Sequence, residues 1–187
     1  MTDTRLSIII PALNEAEGIP LLLQDLRGLD GLGVEILVVD GGSSDTTVLE
    51  AVAGGARVPS PPRGRAHQLG VGADAARGDW LLFLHADSRL GIDAIHALRH
   101  AVEQPPPFVA AVFRFEIDLP RGWKQFIEHG QALRESLFGL PYGDQGLLIR
   151  RETYEAVGGY PDLPIMEDVA LITTLRRRHP IEQLPAP

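Results

Sequence analysis

No cysteine occurs among the 187 residues, which excludes disulfides, thiolate metal sites and a cysteine nucleophile. Positive charge is scarce: 17 Lys and Arg stand against 25 Asp and Glu, for a formal net charge of −8. Binding to a nucleic-acid backbone needs a basic surface, so a general nucleic-acid binder is excluded. A small anionic ligand is not, because one cation and one or two arginines reverse the sign locally. Long hydrophobic runs are also lacking. The first apolar run, Leu6 to Ile10, stops at Pro11, which is too short for a signal h-region. No segment approaches the ~20 apolar residues of a membrane span, and the expected compartment is the cytosol. The remaining composition is ordinary, with 44% hydrophobic and 22% charged residues. A chain of this length fits one domain that buries about 70% of the surface exposed when unfolded.

Strand and helix signals alternate in the first half. Leu6 to Ile10 is β-branched and continuously apolar, as in a strand buried on both faces. Ile19 to Leu29 carries apolar residues at helical spacing, with Pro20 in the first turn. Val34 to Val39 reads as the second strand, followed by the tight turn Gly41-Gly42-Ser43-Ser44-Asp45 and a helix to about Val52 with Ser44 as N-cap. A Pro/Gly/Arg loop, Pro59 to Gly64, precedes a small-residue helix from about Ala66 to Ala76. Trp80 to Leu84 is the third strand and Ile92 to Val102 the next helix. This alternation implies a mainly parallel sheet covered on both faces. After Pro105-Pro106-Pro107 the pattern changes. Phe108 to Asp118 alternates apolar and charged residues, as in a half-exposed antiparallel strand. A helix from about Gly122 to Phe138, a strand from Gly146 to Ile149, a short helix from Glu152 to Val157 and a last helix opening at Met166-Glu167-Asp168 follow. The last helix ends in Arg176-Arg177-Arg178, cations suited to its negative end, and a strand is barely started after Ile181.

The chemistry-bearing residues fall just beyond apolar runs or at helix starts. If the strands at Leu6, Val34 and Trp80 are parallel, then Asn14-Glu15, Asp40 and Asp87 share one sheet edge, where open α/β sheets bind ligands. Mg²⁺ or Mn²⁺ takes one or two carboxylates plus phosphate oxygens, so Asp87 is placed to bridge a metal ion to a phosphate. Each residue also has a plainer reading. Asp87 is a turn-former after a strand, Asp40 fixes the Gly41-Gly42 turn, and Glu167 or Asp168 answers the helix dipole. Arg65 is either a phosphate partner or a solvated loop arginine. Asp144, with Gln145 beside it in a Gly-flanked loop, is an acceptor contact or a turn-former.

Taken together these segments resemble the family 2 glycosyltransferases of the GT-A fold. Ser7 to Glu15 is similar to that family's opening strand and its Pro-x-x-Asn-Glu. ILVVDGGSSDTT, Ile36 to Thr47, resembles its Val-Asp-Asp-Gly-Ser-Ser-Asp-Gly-Thr. LHADS, Leu84 to Ser88, resembles the metal-binding Asp-x-Asp, and its LHAD form resembles a bacterial subgroup. Gly158-Gly159-Tyr160 resembles the acceptor-side Gly-Gly-Phe/Tyr, and Glu167-Asp168 the catalytic acidic pair. The resemblance implies an α/β GT-A domain over residues 1–187, with a nucleotide-binding half to about residue 104 and an acceptor half from about 105. It implies a metal-dependent, inverting transfer of a sugar from a nucleotide-diphospho-sugar to an acceptor hydroxyl. In that reading Asp87 holds Mg²⁺ or Mn²⁺, and Pro11, Ala12, Leu13, Asn14 and Glu15 wall the nucleotide pocket. Asp40 contacts base or ribose, His85 and Ala86 lie beside the nucleotide, and Asp168 is the general base with Glu167 next to it. The chain departs from the family at His85, where the first metal-motif aspartate stands, and at Gly41, where the second aspartate of Val-Asp-Asp stands. Gln68-Leu69-Gly70-Val71-Gly72 replaces the usual Ala-Arg-Asn-x-Gly, leaving Arg63 or Arg65 to supply the guanidinium. No Gln/Arg-x-x-Arg-Trp element follows, as expected of a C-terminally truncated form.

Competing classes are a sugar nucleotidyltransferase, a dinucleotide-dependent oxidoreductase and a non-catalytic nucleotide-sugar binder. A nucleotidyltransferase calls for a Gly-rich basic loop after the first strand, where Ala12-Leu13-Asn14-Glu15 stands instead. Gly-x-Gly-x-x-Gly is absent from that place as well. The acceptor is open between a glycan, a lipid and a small molecule. Peripheral contact with a membrane and a homodimer are both compatible with the sequence.

Overall fold

The computed structural model describes residues 4–104, 106–113, 146–163 and 165–184. The expected helix over 122–138, the continuation of the alternating strand over 114–118, and Asp144 and Gln145 lie outside the described residues. In chain order the elements are β1 (Leu6–Ala12), α1 (Gly18–Leu26), a 3₁₀ turn (Arg27–Leu29), β2 (Val34–Asp40), α2 (Thr47–Ala53), α3 (Arg65–Ala75) and β3 (Trp80–Phe83). Then come α4 (Ile92–Glu103), β4 (Ala110–Phe113), β5 (Leu147–Arg150), α5 (Arg151–Ala156), α6 (Glu167–Arg176) and β6 (Glu182–Leu184).

Six strands form one mixed sheet in the order β2-β1-β3-β5-β4-β6. β1 pairs in parallel with β2 on one side and β3 on the other. β5 then runs antiparallel to both β3 and β4, and β6 parallel to β4. The chain leaves β1 towards β2 and later returns to place β3 on the opposite flank. A sheet whose strand order reverses in this way opens a crevice outside the carboxyl ends of the two strands concerned. Here those are β1 and β3, so the segments after Ala12 and after Phe83 face each other.

Alternation along the strands distributes the apolar residues to two layers. Ile8, Ile10 and Leu82 pack with Ile19 and Leu22 of α1 and Ile95 and Leu98 of α4. Ile9, Leu81 and Phe83 pack on the other face with Leu69 and Ala73 of α3 and Leu171, Ile172 and Leu175 of α6. Leu6, Ile8, Ile9 and Ile10 are all 0% exposed, as the continuous apolar run requires of a strand covered on both sides. β1 continues past Pro11 to Ala12, and β2 continues to Asp40.

Two local expectations are corrected. The second helix starts at Thr47 with Thr46 as its N-cap residue, and Ser44 is not its cap. The Asp45 carboxylate instead accepts the Thr47 N–H at 3.0 Å. The described part of the alternating strand, Ala110 to Phe113, is buried on both faces, because Ala111 and Phe113 join one core layer and Ala110 and Val112 the other.

Candidate active site

The crevice at the ends of β1 and β3 holds a cavity of about 310 Å³. It is lined from β1 and its loop by Pro11, Ala12, Leu13 and Glu15, and from the loop after β3 by His85, Ala86 and Asp87. Arg63, Gly64, Arg65 and Gln68 close it from α3 and the residues before it. The structure therefore brings together eight of the site residues expected from the sequence. Asn14 and Asp40 do not line the cavity; they build the loops that shape it. The Asp40 carboxylate accepts the N–H groups of Gly42, at 3.0 Å, and Ser43, at 3.1 Å, which holds the turn after β2. Asn14 accepts the Ser44 N–H at 2.8 Å through its side-chain oxygen and donates its own N–H to Ser43 Oγ. Glu15 N–H donates to Thr47 Oγ1 at 2.7 Å. The loop carrying Glu15 is thus pinned to the loop after β2.

Two non-glycine residues have positive φ among those described, Asn14 at 56° and Met166 at 63°. Each immediately precedes an acidic residue of the site, Glu15 and Glu167. Asparagine tolerates the left-handed region, whereas methionine is strained there by an amount on the order of 1–2 kcal/mol. Such strain persists only where the surroundings impose it, and it concentrates at functional sites.

Burial raises the Glu15 carboxyl above the usual carboxylate range, and the Asp87 and Asp45 carboxylates push it further, with His85 opposing. Negative charge is therefore concentrated beside Asp87, which is itself exposed to the cavity. A hard divalent cation suits that donor chemistry. Among the described residues no three His, Asp or Glu side chains come together as a ready cage. An ion held there by Asp87 would complete its coordination with phosphate oxygens, as Mg²⁺ sites commonly do.

The acidic pair reaches this rim from the far end of the chain. Glu167 is 3% exposed overall and meets Arg65 Nε at 3.1 Å. Asp168 accepts from Arg65 Nη2 at 3.0 Å. The same Nη2 lies 2.5 Å from His85 Nε2; a guanidinium has no acceptor, so the imidazole nitrogen takes that role. Tyr160 stands behind the pair with its ring edge-on to Phe83 at 4.9 Å. Burial holds its hydroxyl well above the ordinary tyrosine range, and the Asp168 carboxylate adds to this. Gly159, at φ +68°, is needed for that approach, since a Cβ there would stand 3.0 Å from the Tyr154 ring.

Gln68 is the site residue that sequence reasoning did not single out. Its Nε2 donates to Ala12 O at 3.0 Å and Val39 O at 2.7 Å, tying the carboxyl ends of β1 and β2 together. The signal was a glutamine four residues before Gly72 on the inner face of a small-residue helix. Gln68 also explains Gly41, since a Cβ at Gly41 would lie 2.9 Å from Gln68 Oε1. An aspartate at that position has no room while the glutamine occupies it.

An open sheet with its crevice at a strand-order reversal, carboxylates on the rim and arginines before and at a helix start is an α/β domain with its cavity where such sheets commonly bind ligands. Residues 7–159 match the sequence profile of Glycosyl transferase family 2, and the chain belongs to that family. It is 38% identical over 92 residues to a glucosyl-3-phosphoglycerate synthase of Mycolicibacterium paratuberculosis, covering 44% of this chain and 28% of that protein. It is 31% identical over 110 residues to an uncharacterized glycosyltransferase of Haemophilus influenzae, covering 54% of this chain and 35% of the relative. The alignments thus span roughly a third or less of these relatives. Among solved structures, the mannosyltransferase PcManGT of Pyrobaculum calidifontis, in complex with GDP-Man and Mn²⁺, superposes with a TM-score of 0.69 at 19% identity, covering 98% of this chain and 55% of that one. The glucosyl-3-phosphoglycerate synthase of Mycobacterium tuberculosis in complex with UDP superposes with a TM-score of 0.68 at 23% identity, covering 97% and 69%. These neighbours share the GT-A fold with this chain.

Proposed function

We propose that this chain transfers a sugar from a nucleotide-diphospho-sugar to an acceptor hydroxyl with inversion at the anomeric carbon. The observation that carries the reading is the meeting of Glu167 and Asp168 with the cavity of His85 and Asp87, through one arginine that touches both sides. The residues of the cavity divide between the reacting groups. Pro11 to Leu13 and Glu15 wall the nucleotide, and Ala86 presents backbone beside it. Asp87 holds Mg²⁺ or Mn²⁺, which when bound offsets the negative charge of the departing nucleoside diphosphate. Asp168 takes the proton of the acceptor hydroxyl as its oxygen bonds to the anomeric carbon and the bond from that carbon to the diphosphate oxygen breaks. A positioned base of this kind contributes roughly 10²–10⁴-fold. Asp40 acts on the nucleotide side through the turn that its carboxylate holds. Asp144 and Gln145, which lie outside the described residues, are assigned to acceptor binding by the family resemblance alone.

The acceptor is a glycan, lipid or small-molecule hydroxyl, and the chain works in the cytoplasm, at the membrane surface if the acceptor is a lipid. No helix among the described residues is long and apolar enough to cross a membrane.

A thermal-shift panel of UDP-, GDP- and dTDP-sugars with and without Mn²⁺ tests the reading. Binding to the native state stabilises it by about 2.7 kcal/mol at a hundredfold ligand excess over Kd. One donor is expected to give a metal-dependent shift that Asp87→Ala abolishes. Asp168→Asn is expected to keep that shift and lose transfer. No metal-dependent shift with any donor would refute the proposal.

A further inference from the structure

Arg65 opens α3 and lines the donor cavity, yet its guanidinium is directed at the acidic pair. Nε meets Glu167 at 3.1 Å and Nη2 meets Asp168 at 3.0 Å. One planar fork therefore holds two carboxylates that are successive in sequence and lie over a hundred residues away from it. The arginine side chain is 41% exposed, against 5% for Glu167 and 14% for Asp168. The carboxylates are enclosed and the cation reaches in to them from the rim. Arg63, exposed and lining the same cavity two residues upstream, supplies a second guanidinium suited to a diphosphate.

We propose that Arg65 is a positioning residue for the base, fixing the Asp168 carboxylate towards the cavity, and that it is not the arginine that carries the donor diphosphate. This rests on the transferase reading above. The fork makes the role specific. A lysine supplies one compact charge and cannot span two carboxylates with fixed geometry. His85 Nε2 is a further hydrogen-bond partner of the same Nη2 and limits the guanidinium from swinging off the pair. Only the arginine end of the pair is solvent-exposed, and Glu167 is buried, so a melting curve for each variant separates an effect on turnover from unfolding.

The test uses the whole chain with Mn²⁺ and the donor from a panel of UDP-, GDP- and dTDP-sugars that binds best. Donor binding is read by calorimetry, and turnover as release of the nucleoside diphosphate at saturating donor. Arg65→Gln is expected to bind donor within about threefold of wild type and to turn over 10- to 100-fold more slowly, the scale of a reacting group misplaced by about an ångström. Arg65→Lys is expected to restore part of the rate. Arg65→Gln placed on Asp168→Asn is expected to add no further loss, because two residues that act as one unit are not additive. Arg63→Gln is expected to weaken donor binding. If Arg65→Gln loses donor binding but turns over normally once saturated, or if its effect multiplies that of Asp168→Asn, the inference is overturned while the transferase reading survives. A wild-type chain that binds no donor of the panel overturns the transferase reading and this inference with it.

Discussion

Replacing Gln68 by leucine probes how the crevice is held open. The side chain is 5% exposed and its amide makes two donations, to Ala12 O and Val39 O. Leucine is close in volume, so the change removes hydrogen bonds without leaving a large void. The Ala12 carbonyl keeps one partner, the Gly41 N–H at 2.9 Å, and the Val39 carbonyl, in the β1–β2 ladder, loses its side-chain donor at 2.7 Å. A net neutral hydrogen bond contributes about 0.5–1.5 kcal/mol, and a buried group left bare costs about 1–3 kcal/mol. The expected destabilisation is therefore about 2–3 kcal/mol. For a chain of this size each kcal/mol lowers Tm by roughly 2–4 °C, so Gln68→Leu should melt roughly 4–12 °C lower by calorimetry. Donor-induced stabilisation should fall as well, since both strand ends carry loops of the cavity. Gly41→Ala collides with Gln68 Oε1 in the wild type but has room beside the shorter side chain of Gln68→Ala. The double variant should therefore be more stable than the sum of the single effects allows. An unchanged melting temperature for Gln68→Leu, or strict additivity of Gly41→Ala and Gln68→Ala, would refute the strand-tie argument.

Further outcomes follow from the same geometry. Gly18→Ala places a Cβ 2.8 Å from the Ala86 carbonyl oxygen; it should cost about 1–3 kcal/mol and weaken donor binding by shifting the loop that carries Asp87, as thermal shift would show. Asp40→Ala removes the acceptor of the Gly42 and Ser43 N–H groups and should cost about 1–3 kcal/mol in urea unfolding, with Asp40→Asn milder because one oxygen remains. The Arg89 guanidinium holds the Asp25 carboxyl below its ordinary range, helped by the Leu90 N–H and opposed by burial. A depressed folded value gives stability that is present above about pH 4 and lost as pH falls through the folded value. The gap in Tm between wild type and Arg89→Ala should accordingly be full at pH 7 and close below pH 4; a gap that widened in acid would contradict the pairing.

Much of the fold was legible from periodicity. The apolar run Leu6 to Ile10 could be satisfied only by burial on both faces, and the strand–helix alternation up to Val102 implied a parallel sheet with β1 inside it. Placement of Glu15 and Asp87 on one edge followed, because each stands just past the carboxyl end of its strand. Local reading failed where long-range contacts decided the outcome. Ser44 is a good cap by residue type, yet the Asn14 side chain takes its N–H and Asp45 serves Thr47. The alternation from Phe108 onward suggested a half-exposed strand, but a core layer on each face of the sheet buries Ala110 to Phe113 on both sides.

By itself the sequence determined the α/β class, the acidic and apolar character of the chain, and the candidate residues at the sheet rim. These depend on neighbours along the chain, whose spacing is a local property. Only the tertiary structure decided that Gln68 ties β1 to β2, that Gly41 must lack a side chain, and that Arg65 holds Glu167 and Asp168. Those contacts join residues separated by 27 to 103 positions, and no local pattern encodes which distant side chain closes on which once the two faces of the sheet have packed.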